Sequence, residues 1–149
     1  MNTASAMILL AIAGICSAHA GEAKRPCEVN YVQTGKYMSG RHFSTWDVVI
    51  DVPPQVAFKR IYTEGIKSGF KVSSSDKEMG IISLEQGNAG STLLNDGQLV
   101  SLPWNVVIEK SGHGSKINVA KTVPPTYATS KNYQIQSMCS VIDAARNPG

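Results

Sequence analysis

Three cysteines, Cys16, Cys27 and Cys139, constrain this chain more than any other feature, because an odd count in a short chain has to be accounted for first. Cys16 ends the charge-free apolar run Met7–Cys16, which is too short for the roughly 20 residues a helix needs to cross a bilayer. Ser17-Ala18-His19-Ala20 follows, and Ala18 and Ala20 supply the small-x-small pair that a signal peptidase requires. Residues 1–20 therefore read as a secretory signal peptide cleaved after Ala20, although Met1–Ala6 carries neither Lys nor Arg. A lipid-attachment cysteine has a small residue directly before it and a branched aliphatic at the third position before it. Cys16 has Ile15 and Ala13 there, the reverse order, so the mature form is expected to carry no membrane anchor.

What remains after cleavage is Cys27 and Cys139, one near each end of a periplasmic or secreted chain. An oxidising compartment favours their pairing. A bridge closing a loop on the order of 100 residues stabilises by about 4–5 kcal/mol in the chain-entropy view. No Cys-x-x-Cys pair is present, so redox catalysis has no motif to rest on.

The rest of the sequence punctuates itself with proline and glycine. Residues 21–40 are polar and weakly periodic and read as an N-terminal arm, tied down at Cys27 and by a short strand over Val29–Val32. Residues 41–149 read as one domain. Trp46, Val48, Ile50 and Val52 share one parity and Thr45, Asp47 and Asp51 the other, which predicts a half-buried strand with the first set inward. Pro53-Pro54 stops it and presets φ for a helix over residues 54–68, with Phe58, Ile61, Tyr62, Gly65 and Ile66 on one side. Gly69 then fits a left-handed cap, with Phe70 as its apolar contact. Strands are expected at Phe70–Val72, Ile81–Glu85, Leu102–Ile108 and Lys116–Ala120, with turns at Ser75–Gly80 and Ser111–Ser115. Pro103 argues for an edge or a bulge. Val123-Pro124-Pro125 repeats the earlier device, so a final helix is expected from about Thr126, with Ile135, Met138, Cys139, Ile142 and Ala145 as its stripe. The expected class is α+β: an antiparallel sheet of four to five strands with two helices on one face, in the order β-α-β-β-β-β-α.

Val49–Phe58, then Gly69-Phe70-Lys71-Val72, Asp76 and Gly80-Ile81-Ile82-Ser83 together follow a strand, Pro, helix, Gly-Phe, strand and Asp-x-x-x-Gly-x-Ile order. This order resembles the helix-grip modules of bacterial envelope lipoproteins, such as the accessory lipoprotein C of the barrel-assembly machinery. The resemblance spans about half of the chain. It implies a non-catalytic interaction domain and carries over no functional residue. The lipid cysteine usual in those proteins has no counterpart here.

Candidate chemistry is sparse. His113 lies between Gly112 and Gly114 and has no His or Cys partner at ligand spacing, so no metal or cofactor is expected. His42 with Asp47 or Asp51 is a conceivable base with an orienting carboxylate, but no nucleophile elbow selects a serine. Lys59, Arg60, Lys67 and Lys71 make a basic face on and just after the first helix, fit for an acidic partner or anionic envelope polymer. The net charge of +3, with 17% charged and 42% apolar residues, excludes a disordered tail, a coiled coil and a basic nucleic-acid arm. These readings favour an exported, soluble, non-catalytic envelope protein that binds a protein partner or acts as an accessory module. An immunity or inhibitor protein against an envelope-directed toxin is one alternative, and a small hydrolase built on His42 is the other. The sequence does not fix the oligomeric state.

Overall fold

A computed structural model of the chain describes residues 23–94 and 98–147. The signal peptide expected over residues 1–20 lies outside the described residues. Nine elements follow in order: α1 (Pro26–Val29), β1 (Val32–Lys36), β2 (Gly40–Val49), α2 (Pro54–Lys67), β3 (Lys71–Asp76), β4 (Ile81–Gln86), β5 (Leu102–Ser111), β6 (Gly114–Val123) and α3 (Lys131–Arg146). The strands form one antiparallel sheet in the order β1-β2-β6-β5-β4-β3. α2 packs over β3, β4 and β5, α3 over β2 and β6, and the two helices touch each other. The core lies between this helix layer and the sheet face carrying Phe43, Val49, Ile82, Leu84, Trp104, Val106, Ile117 and Val119. The α+β class stands.

Several elements form for the reasons the sequence supplies. Pro53 and Pro54 open α2, and Gly69, at φ 83°, closes it. The Gly69 N–H donates to the Ile66 carbonyl and the Phe70 N–H to the Gly65 carbonyl, a Schellman pair. That closure places Phe70 edge-on against Trp104, with ring centroids 5.4 Å apart. Asp76 Oδ1 accepts from the Glu78 and Met79 N–H groups at 3.0 and 2.9 Å, which folds the β3–β4 turn. Gly80 completes it at φ 68°, where a Cβ would meet the Ile108 carbonyl oxygen.

The sheet has six strands rather than four to five, because part of the expected arm joins it. Pro26 starts a one-turn helix instead of a strand at residue 29, and Val32–Lys36 pairs with β2 as an edge. The Cys27–Cys139 bridge ties this one-turn helix to α3, with Cα atoms 5.8 Å apart. Pro103 is not on an edge strand, since β5 lies between β4 and β6. It pairs with Glu85 of β4, while the β6 ladder begins only at Trp104, so the missing N–H falls where that ladder has not started.

Two further expectations are overturned. α3 begins at Lys131, not near Thr126, because Thr126 takes φ 60° and gives its N–H to the Tyr37 carbonyl. Ser130 is the true cap, its hydroxyl accepting from the Tyr133 N–H at 3.2 Å. The parity of β2 is also inverted: Phe43, Thr45, Asp47 and Val49 face the helices. Trp46 is 39% exposed on the opposite face, where the Lys116 ammonium stands 4.6 Å from its ring centroid. Thr45 and Asp47 are buried because each meets a partner from the helix layer. The Thr45 hydroxyl donates to the Cys27 carbonyl, and Asp47 pairs with Arg146 at 2.5 Å.

Candidate functional site

The structure divides the basic face. Lys59, Arg60 and Lys67 line one groove of about 470 Å³ along α2, together with Val56 and Thr63 and with Asn147 from the end of α3. Arg60 is engaged there, donating to the Ala145 carbonyl at 2.6 Å and so closing the C-terminal turn of α3. Lys71 is apart from the other three. Its neighbour Val72 pairs with buried Leu84, so strand alternation sends Lys71 to the sheet face away from the helices.

The residues of the hydrolase alternative do not converge. His42 lies on the face away from the helices, with Nδ1 3.2 Å from Thr122 Oγ1. Asp47 lies on the other face, 3% exposed, under Arg146. Asp51 sits beyond the end of β2 in a turn, at φ 57°. The Asp47–Arg146 pair continues through Asp143 and Arg25 to Glu28, so these charges join α1, α3 and β2 beside the disulfide. His113 is exposed at the tip of the β5–β6 turn, and no group of three metal-ligating side chains occurs among the described residues.

A different cluster is assembled at one end of the sheet, from the end of the expected arm, the connection between two expected strands and the expected start of the final helix, none of which sequence reasoning singled out as a site. The β1–β2 turn contributes Tyr37 and Met38, the β4–β5 connection Leu93, Leu94 and Leu99, and the β6–α3 connection Thr126 and Tyr127. Backbone pairing joins them: Thr126 N–H to the Tyr37 carbonyl at 2.7 Å, a bridge of Thr92 with Tyr127, and a second of Ser91 with Leu99. The Arg41 guanidinium donates to the Tyr127 carbonyl at 2.5 Å and lies 5.7 Å from the Tyr37 ring centroid. The Tyr127 hydroxyl donates to the Ala89 carbonyl, and Ala89 and Gly90 pair with Val100 at the root of the connection. Burial pushes the Tyr127 phenol up, and nearby Tyr133 adds to the shift.

What this scaffold presents outward is apolar. Leu93 is 77% exposed, and Met38, Leu94 and Leu99 are each more than half exposed. Below them, Tyr37, Thr92, Leu93, Thr126 and Ala128 line a depression of about 370 Å³. Thr126 is strained there. It is β-branched at φ 60°, and its buried hydroxyl has no hydrogen-bond partner among the described residues. Strain of this kind costs about 1–3 kcal/mol and gathers at binding and active sites. The one sequence signal for the cluster was Thr92-Leu93-Leu94 between glycine-rich stretches, apolar where a solvated loop is polar.

No family model matches the chain, and no curated protein matches it. Among solved structures, a conserved protein of unknown function from Enterococcus faecalis superposes with a TM-score of 0.50 at 8% identity, over 80% of this chain and 75% of its own. The crystal structure of Ara h 8.0201 gives 0.49 at 13% identity, over 72% of this chain and 95% of its own. A TBP-like protein from Parabacteroides distasonis gives 0.46 at 17% identity, over 78% and 98%. At these identities the likeness concerns the fold.

Proposed function

We propose that this protein is an exported, non-catalytic accessory module that docks an apolar segment of a protein partner at the Tyr37–Leu93–Thr126 end of its sheet. The observation that carries this reading is Thr126, a β-branched residue held at φ 60°, its hydroxyl without a partner among the described residues, under a rim of exposed leucines. Exposed apolar side chains are ordinary when scattered. Here five of them, Tyr37, Met38, Leu93, Leu94 and Leu99, sit on segments tied to one another by hydrogen bonds and bridges. Gathered apolar surface of that kind marks contact sites. No helix among the described residues is long and apolar enough to cross a membrane. The disulfide accords with export.

The test places a photo-crosslinking residue at Leu94 in cells, with Lys77 in the β3–β4 turn, at the other end of the sheet, as the control. A crosslinked protein is expected from position 94, absent from 77, and lost when Leu93→Ser and Leu99→Ser are combined in a protein of unchanged melting temperature. A product that survives that double substitution, or no product above the control, would refute the docking end. A partner that is itself an envelope-directed toxin would make this an immunity protein. Export is tested by N-terminal sequencing of the periplasmic or secreted protein, expected to begin at Gly21.

A further inference from the structure

Between α2, α3 and the β4–β5 side of the sheet lies a cleft of about 230 Å³ whose wall includes Phe70, Leu84 and Trp104. α2 gives way here at Gly65, in its interior. That glycine has no left-handed φ, and a Cβ on it would meet the Leu84 methyls at 3.5 Å, an ordinary contact. Neither backbone conformation nor close approach requires glycine, which costs a helix interior about 1 kcal/mol relative to alanine. Its visible consequence is space in the cleft.

At the sheet side of that space sits Lys121, 1% exposed. Its ammonium is 3.3 Å from Gln86 Oε1, 4.4 Å from the Trp104 ring centroid and 5.9 Å from that of Tyr133. Gln86, Trp104 and Tyr133 all line the cleft, so the charge lies directly behind its wall. Among the described residues one acceptor serves its three N–H groups, and that atom, Gln86 Oε1, is already shared with Trp104 Nε1 at 3.2 Å. No carboxylate among the described residues pairs with it. Buried lysines are almost always paired. Tyr133, 51% exposed, forms the outer side of this wall, and its ring stands between solvent and the ammonium.

We infer that this cleft binds a small amphiphilic monocarboxylic acid, its apolar body against Phe70, Leu84 and Trp104 and its carboxylate on the Lys121 ammonium. A cleft of about 230 Å³ is on the scale of a medium-chain or aryl acid. The carboxylate supplies both the missing counter-charge and the missing acceptors. Glu64, which also lines the cleft, accepts from the Ser68 hydroxyl at 3.3 Å.

The experiment titrates the purified protein with octanoate in a Trp46→Phe background, which leaves Trp104 as the only tryptophan. A saturable change in Trp104 fluorescence is expected, with octanol and octanamide at least tenfold weaker. Lys121→Met should weaken octanoate at least tenfold and leave octanol unchanged. Gly65→Leu, which fills the cleft without touching the lysine, should abolish binding of all three. Glu64→Gln should leave octanoate as tight or tighter. No saturable change with octanoate, equal affinity for octanol, or full binding by Lys121→Met or Gly65→Leu would overturn the inference. The Leu93→Ser, Leu99→Ser variant should bind octanoate normally, so failure of this site and failure of the docking end are separable.

Discussion

Replacing Lys121 with Met should stabilise the protein, and the gain should depend on pH. Burial pushes the Lys121 ammonium down from its ordinary 10.5 to about 8. The folded chain therefore holds that proton less tightly than the unfolded chain. Below about pH 8 both forms are protonated and folding bears the full cost of burying the charge. Between there and the unfolded value the native form deprotonates first, so this group's contribution to stability rises with pH. At about 1.4 kcal/mol per pKa unit the cost at neutral pH is about 3 kcal/mol, an upper bound because the Trp104 and Tyr133 rings favour the charged form. Met preserves the apolar stem, and Gln86 Oε1 keeps the Trp104 N–H as a donor. Urea unfolding of both proteins should show Lys121→Met more stable by up to about 3 kcal/mol at about pH 7, the gap closing by about 2 kcal/mol by about pH 9.5. Tyr31 and Tyr127, whose phenols burial pushes up, are common to both proteins and cancel in the difference. A gap that does not change with pH, or a wild type that is the more stable at neutral pH, would refute the reasoning.

Other perturbations test the scaffold. Cys27→Ser with Cys139→Ser opens the 112-residue separation and should lower unfolding stability by about 4–5 kcal/mol in urea titrations without reductant. Asp47→Asn leaves Arg146 with Asp143 only; because the Arg146 side chain is 32% exposed, the loss in urea should fall below the about 3–5 kcal/mol of a fully buried pair. Ser130→Ala removes the α3 cap and should cost about 1 kcal/mol, with earlier hydrogen exchange at the Tyr133 amide as its local signature.

The elements legible in the sequence are those whose determinants are local. Pro53-Pro54 and Gly69-Phe70 bound α2 within a residue of expectation, because ring closure and a left-handed glycine act on their own stretch of backbone. The Asp76–Gly80 turn is legible for the same reason: its acceptor lies two and three residues from its donors. The same local reasoning fails at Val123-Pro124-Pro125. There the chain is claimed by Tyr37, about ninety residues away, before a helix can start. Of the basic face, the helical spacing of Lys59 and Lys67 could be read directly. The diversion of Arg60 to the α3 carbonyls could not, since its acceptor is 85 residues distant.

β2 shows what a two-residue period can and cannot decide. Both of its faces carry apolar side chains, Phe43 and Val49 on one and Trp46 and Val48 on the other, and in the sequence Ile50 and Val52 continue the second parity, so counting hydrophobes selects that one. The chain buries the other face because its two polar members can be satisfied there. The Cys27 carbonyl takes the Thr45 hydroxyl, and Arg146 takes the Asp47 carboxylate. A buried polar group costs little once partnered and several kcal/mol when it is not, so the position of its partner outweighs a modest difference in apolar count. Both partners belong to elements that the disulfide holds together, α1 through Cys27 and α3 through Cys139. The bridge therefore does more than restrict the unfolded chain: it stations the acceptor and the guanidinium that determine which side of β2 faces inward. Reducing it should loosen the Asp47–Arg146 contact before the α2 half of the sheet. Residue-resolved hydrogen exchange tests this, with faster exchange in β2 and α1 and little change in β4 and β5; uniform acceleration across all strands would contradict it.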